Sequence, residues 1–98
     1  MQIKIHAPFE VNALLKDLID KKISKLQTFY ARILRADVFL KLEDPKAPDG
    51  KIVEINLSLP GKPVFAKEKT DAYEKAIAYT AQKLERQLKK RKDKLKAA

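Results

Sequence analysis

Apolar and polar residues alternate with a period of two in three stretches of this 98-residue chain, at 2–6, 36–43 and 52–59. Such alternation is typical of a β-strand with one buried face. A shorter run at about 64–67 predicts a fourth strand, and Pro63 before it favours a position at the edge of a sheet. Because each strand has only one apolar face, any helices of this chain must pack on the same side of the sheet.

The side chains of the predicted strands divide between two faces. The buried face is expected to consist of alternate residues from the three longer strands: Ile3, Ile5, Val38, Leu40, Leu42, Val53, Ile55, Leu57 and Leu59. The opposite, open face then carries polar residues and Phe39. The segment 44–50 contains two prolines and a glycine, so it is predicted to be the loop of a hairpin between the second and third strands.

A first helix is predicted after the first strand, because apolar residues recur there with helical spacing. Asn12 is a suitable N-cap, and the helix is expected to end at about Tyr30 or Ala31. Lys22 falls near the middle of the apolar stripe, so its side chain must extend out of the core or lie where the stripe leaves the sheet. The stripe consists of Leu15, Leu18, Ile19, Ile23, Leu26, Phe29 and Tyr30.

A second, longer helix is predicted over 71–96, with Asp71 as its N-cap and Glu74 completing a capping box. Six residues of this helix form its apolar stripe, namely Tyr73, Ile77, Ala81, Leu84, Leu88 and Leu95. The resulting order is β-α-β-β-β-α in a single domain, 1–98. The sequence therefore predicts an α+β fold, in which a four-stranded mixed sheet has a parallel first pair, an antiparallel remainder and both helices on one face.

The net charge of +9 is concentrated at the C-terminal end, where residues 83–98 hold eight basic side chains against Glu85 and Asp93. Pairing along the helix does not explain the basic stripe there, because it contains no acid at its i, i+3, i+7, i+11 spacing. A solvated charged face is one interpretation. We favour the other, a row of long cations that contacts the phosphates of a nucleic acid. The stripe consists of Lys83, Arg86, Lys90 and Lys94.

Residues suited to catalysis are scarce in this sequence. His6 is the only histidine, and no nucleophile or orienting partner lies near it in the chain. Gly50 and Gly61 are the only glycines, too few for a glycine-rich phosphate loop. The acids around the hairpin loop, Glu43, Asp44 and Asp49, lack the spacing of a calcium-binding loop. We therefore expect no enzyme activity, metal site, cofactor or small-molecule substrate.

The sequence also limits where the protein is expected to work. The absence of cysteine excludes disulfides and thiolate metal sites. The N-terminal residues MQIKIHAPFE do not form a signal peptide, and no segment is long and apolar enough to span a membrane. We expect a soluble, cytoplasmic protein.

The aromatic residues suggest one further possibility, a platform on which RNA bases stack. Such a platform needs paired aromatic residues on adjacent central strands. Phe39 is suitably placed for it, whereas Phe65 lies on the short fourth strand. Base stacking on the open face is thus the weaker of the two predictions for nucleic-acid binding.

Four segments of the chain resemble the short-form bacterial ribosome hibernation-promoting factors and the related ribosome-associated inhibitor, protein Y. They are KLQTFYARI (25–33), VFLKLE (38–43), DAYEKAI (71–77) and KLERQLKKRKDKLK (83–96). Their order and spacing extend the resemblance over essentially the whole chain. Two positions depart from the family pattern, Ala72 where methionine is common and Lys69 where glycine is usual; they affect the expected packing of a loop, not the expected function.

The resemblance implies a fold similar to double-stranded RNA-binding domains, with an extra first strand. It also implies binding to rRNA of the small ribosomal subunit in the decoding channel, which blocks mRNA and tRNA and stores inactive ribosomes under stress or in stationary phase. Basic residues that match the family pattern are the expected contacts: Lys22, Lys25, Arg32, Lys83, Arg86, Lys90, Lys92 and Lys94. Lys41 is a weaker candidate.

The resemblance bears on assembly as well, and other functions stay open. The sequence ends at Ala98 without the dimerisation domain of the long form or the acidic tail of protein Y, so we expect a monomer that does not bridge ribosomes through such a domain. One alternative is a general binder of structured RNA or DNA. Another is a protein-interaction module whose basic helix docks on an acidic partner or an anionic membrane. We expect no membrane partner, because the core needs the apolar stripe.

Overall fold

The computed structural model describes residues 1–97, and side chains as far as Lys94. The predicted stripe position Leu95 and the basic residue Lys96 lie outside the described side chains. The elements occur in the predicted order: β1 (Gln2–His6), α1 (Ala13–Phe29), β2 (Arg35–Leu42), β3 (Lys51–Ser58), β4 (Val64–Thr70) and α2 (Tyr73–Ala97). Among the helices described, none is long and apolar enough to cross a membrane.

The strands form one sheet in the order β1-β2-β3-β4. β1 pairs with β2 in parallel, whereas β2, β3 and β4 are antiparallel neighbours. The mixed topology predicted from the sequence is therefore confirmed, and β4 lies at the edge as Pro63 indicated. β4 is longer than predicted, since it continues from 64 to 70.

The core lies between the sheet and the two helices. Val38, Val53 and Ile55 of the sheet are completely buried, as are Ile19 of α1 and Ile77 of α2. Burial of such side chains contributes roughly 1.5–3 kcal/mol each before the entropy cost of ordering them. Leu42 was predicted to lie on this face, but 41% of it is exposed at the last position of β2.

The two helix starts differ in how well the sequence predicted them. Asn12 caps α1 as expected, since its side-chain oxygen accepts a hydrogen bond of 2.8 Å from the Leu15 amide. The prediction of a capping box at Asp71 was wrong. α2 begins only at Tyr73, and the Asp71 carboxylate instead pairs with Lys75 at 3.1 Å. Just before the helix, the Thr70 hydroxyl donates a hydrogen bond of 2.6 Å to the Ala72 carbonyl and lies 3.1 Å from the Ala72 amide nitrogen.

α2 is longer than the core it covers. Its 25 residues span about 37 Å. Leu88 is the last of its buried residues among the described side chains. The final two turns therefore extend beyond the sheet, consistent with overall dimensions of 49 × 22 × 18 Å.

Candidate nucleic-acid interface

The second half of α2 presents a group of cations to solvent. Arg86, Lys89, Lys90 and Lys94 are exposed, and none of them takes part in an ion pair among the described side chains. They extend from a continuous helix, so their backbone positions are fixed relative to one another. Uncompensated cations at fixed spacing create a positive potential that attracts a polyanion.

Lys83, the first member of the predicted basic stripe, differs from the others. Its ammonium group lies 2.8 Å from a Glu68 carboxylate oxygen on β4 and donates a hydrogen bond of 3.3 Å to the Lys67 carbonyl. The rotation of α2 on the sheet produces these contacts, which helical spacing alone does not reveal. Lys83 thus helps to fix α2 to the sheet.

Lys83 belongs to a row of three α2 side chains that donate to backbone carbonyls at the free edge of the sheet. Gln87 donates a 2.8 Å hydrogen bond to the Phe65 carbonyl, and Arg91 donates to the carbonyl of Lys62. These positions are four residues apart, so they lie on one face of the helix. Lys83 and Gln87 thus occupy carbonyls of β4 that an edge strand would otherwise expose, and Arg91 occupies one in the turn before β4.

Two basic residues predicted from α1 lie in the groove between the helices. Lys22 and Lys25 line this groove opposite Ala78 and Gln82 of α2, with Glu85 also at its wall. Lys22 is half-buried there. Its position in the middle of the apolar stripe is thereby explained, because this part of α1 lines the groove and a lysine there can bury its methylene groups against apolar neighbours.

The remaining predicted cations surround the C-terminal end of α1. The Lys92 ammonium group lies 5.0 Å from the centre of the Phe29 ring and 3.3 Å from the Phe29 carbonyl oxygen. Arg32 and Lys94 line one shallow depression at this end of the molecule. Seven of the eight predicted residues thus lie along the groove, on the distal part of α2 or beside the end of α1, whereas Lys83 faces β4.

The open face of the sheet carries an aromatic pair that sequence reasoning missed. The His6 and Phe39 rings are stacked, with centroids 4.6 Å apart and planes inclined by 13°. Lys41 lies 5.8 Å from the centre of the Phe39 ring and 3.1 Å from a Glu54 carboxylate oxygen. The predicted parallel pairing of the first two strands could have revealed this pair, because the register of β1 with β2 aligns His6 with Phe39.

An electrostatic network lies beside this stack. The Asp37 carboxylate accepts two hydrogen bonds of 2.9 Å from Arg35, and His6 Nε2 lies 3.1 Å from one of its oxygens. Arg35 first and His6 second hold the pKa of the Asp37 carboxyl below its usual range. The same contact raises the pKa of Arg35 further. His6 therefore does have an orienting carboxylate, although the two are 31 residues apart in the chain.

Comparison with known proteins defines the class of this molecule. The chain belongs to the Sigma 54 modulation protein / S30EA ribosomal protein family, whose model matches residues 2–96. It is similar to a protein of Pseudomonas putida named ribosome hibernation promoting factor, at 33% identity over 95 residues, which cover 96% of this chain and 89% of that protein.

Two solved structures have a similar fold. A ribosomal subunit interface protein from Coxiella burnetii matches with a TM-score of 0.83 and 26% identity, over 95% of this chain and 99% of that one. The N-terminal domain of Protein Y from Thermus thermophilus matches with a TM-score of 0.74 and 28% identity, over 91% and 93% of the two chains. The family indicated by the four sequence segments is confirmed.

Proposed function

We propose that this protein is a ribosome hibernation factor that binds the small ribosomal subunit in the decoding channel and blocks the sites of mRNA and tRNA. Its relatives named ribosome hibernation promoting factor and ribosomal subunit interface protein support this function. Inhibition of translation then results from occupancy, with no covalent chemistry and no cofactor. The protein acts in the cytoplasm and is a monomer when free.

The observation that carries the proposal is the set of cations on distal α2 that lack ion-pair partners among the described side chains. Attraction between unpaired lysines or arginines and RNA phosphates is strengthened by release of counterions from the RNA. A rigid helix holds these cations at fixed spacing, so less conformational entropy is lost on binding. The rRNA-contacting residues are Lys22, Lys25, Arg32, Lys83, Arg86, Lys90, Lys92 and Lys94, with Lys83 contributing least because Glu68 already compensates its charge.

Co-sedimentation with purified small subunits tests this proposal. The variant Arg86→Glu/Lys90→Glu reverses two exposed cations one helical turn apart. The matched control Lys16→Glu/Lys46→Glu makes the same change in net charge at exposed positions on α1 and in the hairpin loop. Loss of binding in the first variant and near-normal binding in the second are expected. Equal binding by both variants would mean that distal α2 is not the contact.

Salt dependence supplies a second measurement of the same interface. If about six phosphates are contacted, affinity for the subunit should fall about 10³-fold between roughly 50 and 200 mM salt. The Arg86→Glu/Lys90→Glu variant should reduce the slope of log affinity against log salt by about 2, since each lost phosphate contact removes about 1. Equal affinity for free duplex RNA and for small subunits would instead indicate a general binder of structured RNA.

A further inference from the structure

The stack on the open face of the sheet ends at a ring with one uncovered side. Phe39 covers one face of the His6 imidazole at a centroid distance of 4.6 Å. The other face points away from Phe39, and β1 lies at the edge of the sheet that residues 1–97 form. The His6 side chain is 44% exposed. A flat ring can therefore extend the stack from the edge of the sheet.

The orientation of this terminal ring is fixed before any ligand binds. His6 Nε2 lies 3.1 Å from Asp37, and two hydrogen bonds from Arg35 hold that carboxylate in turn. Phe39 restricts the ring from one side. A ring held by packing and by a supported hydrogen bond loses little conformational freedom when a partner stacks on it.

The charge around the stack favours an anionic partner. Most cations of the open face are compensated: Arg35 pairs with Asp37, Lys41 with Glu54 and Lys69 with Glu43. Lys4 is exposed, and no ion pair among the described side chains involves it. It precedes His6 by two residues on the same face of β1, which places their backbones about 7 Å apart.

We propose that the open face is a second RNA-binding site, at which one unpaired base stacks on His6 and the adjoining phosphate contacts Lys4. Single-stranded nucleic acids are commonly bound by such a combination of an aromatic ring and a nearby cation. An aromatic side chain of a partner protein could stack on His6 but would leave the charge of Lys4 uncompensated. The site lies on the opposite side of the sheet from both helices, so it is separate from the cations of distal α2.

The ring protons of His6 offer a direct measurement, because this is the only histidine of the chain. Titrating the full-length protein with hexaadenylate should shift these proton resonances through the ring current of a stacked base. An abasic oligomer of the same length and charge should leave them in place. Resonances that do not move, or that move equally with both oligomers, would overturn the proposal.

Substitutions at position 6 test the same contact by affinity. His6→Ala should lower the ratio of hexaadenylate to abasic-oligomer affinity by about 5- to 150-fold, the range expected for one stacked base. His6→Phe retains a ring and should keep the ratio within about twofold of the original value. An unchanged ratio in His6→Ala would refute base stacking, provided that thermal melting shows all three proteins to be folded.

Two further arms separate this site from the other possibilities. Arg86→Glu/Lys90→Glu should leave the shift of the His6 protons at saturation with hexaadenylate unchanged, because distal α2 lies on the other side of the sheet from His6. This result would stand even if the protein did not bind small subunits. If N-acetyltryptophanamide shifted the His6 protons as strongly as adenosine 5′-monophosphate at equal concentration, the partner would be an aromatic protein side chain and the assignment to RNA would be wrong.

Discussion

The helical face and the open sheet face of this molecule both carry cations, but the two faces use them differently. On the sheet, Arg35, Lys41 and Lys69 each lie within 3.1 Å of a carboxylate oxygen. Lys4 and Lys67 are the exceptions on that face, with no ion pair among the described side chains. On distal α2, Arg86 and Lys90 have no ion pair among the described side chains. Charge compensation within the fold therefore distinguishes cations that organise a surface from cations available to a polyanion.

α2 connects these two kinds of surface. Its first half packs on the sheet through buried residues such as Ile77 and Leu84, and Lys83, Gln87 and Arg91 attach its middle to the edge of the sheet. Its end extends beyond the sheet. The position of the exposed cations thus depends on buried packing and on hydrogen bonds at the sheet edge. Substitutions at those contacts are the first test of the comparison between the two faces.

The largest expected effect comes from the buried anchor of α2. Leu84 is completely buried, so Leu84→Ala should lower the free energy of unfolding by about 2–5 kcal/mol through lost burial and a residual cavity. This is a large fraction of the roughly 5–15 kcal/mol typical of a domain. Urea denaturation measures the change. Leu14→Ala, at a position 83% exposed, is the matched control and should stay within about 0.5 kcal/mol of the original protein. Similar losses in both variants would mean that α2 is not anchored as described.

A smaller effect is expected at the attachment of α2 to the sheet edge. Gln87→Leu removes the 2.8 Å hydrogen bond to the Phe65 carbonyl without changing the net charge. It should lower the free energy of unfolding by about 0.5–1.5 kcal/mol and speed amide exchange in β4. Gln82→Leu, at an exposed position on another face of the helix, serves as the control. Equal exchange in β4 of both variants would contradict a role for Gln87 at the edge.

Sequence periodicity predicted the element order, the sheet topology and the Asn12 cap, because these depend on local patterns of apolar and capping residues. It did not predict the partners of individual charged groups. His6 contacts Asp37 through strand register, and Lys83 contacts Glu68 through the rotation of α2 on the sheet. Both contacts join residues far apart in the chain. The error at Asp71 has a different cause. Asp71 and Glu74 fit the spacing of a capping box, but α2 begins two residues after Asp71, whose carboxylate pairs with Lys75.

The smallest expected effect is the acid sensitivity of the sheet face. The pKa of Asp37 is lowered in the folded protein, so its stabilising contribution is complete above the unfolded pKa of about 3.9 and is lost as the pH falls through the lower folded value. Asp37→Asn should therefore be less stable than the original protein at neutral pH, and the difference should shrink below about pH 4. Urea denaturation at a series of pH values measures this convergence.

The cause of that sensitivity can be tested in a second background. Arg35 is the main source of the lowered pKa of Asp37, followed by His6. In an Arg35→Gln protein, Asp37→Asn should thus lower the free energy of unfolding by less at neutral pH. The stabilities with Asp37 and with Asn at this position should then converge over a narrower pH range. An equal effect in both backgrounds would mean that Arg35 does not organise this face. The charge-reversed Arg86→Glu/Lys90→Glu protein should keep the full effect of Asp37→Asn, because distal α2 is separate from the sheet-face network.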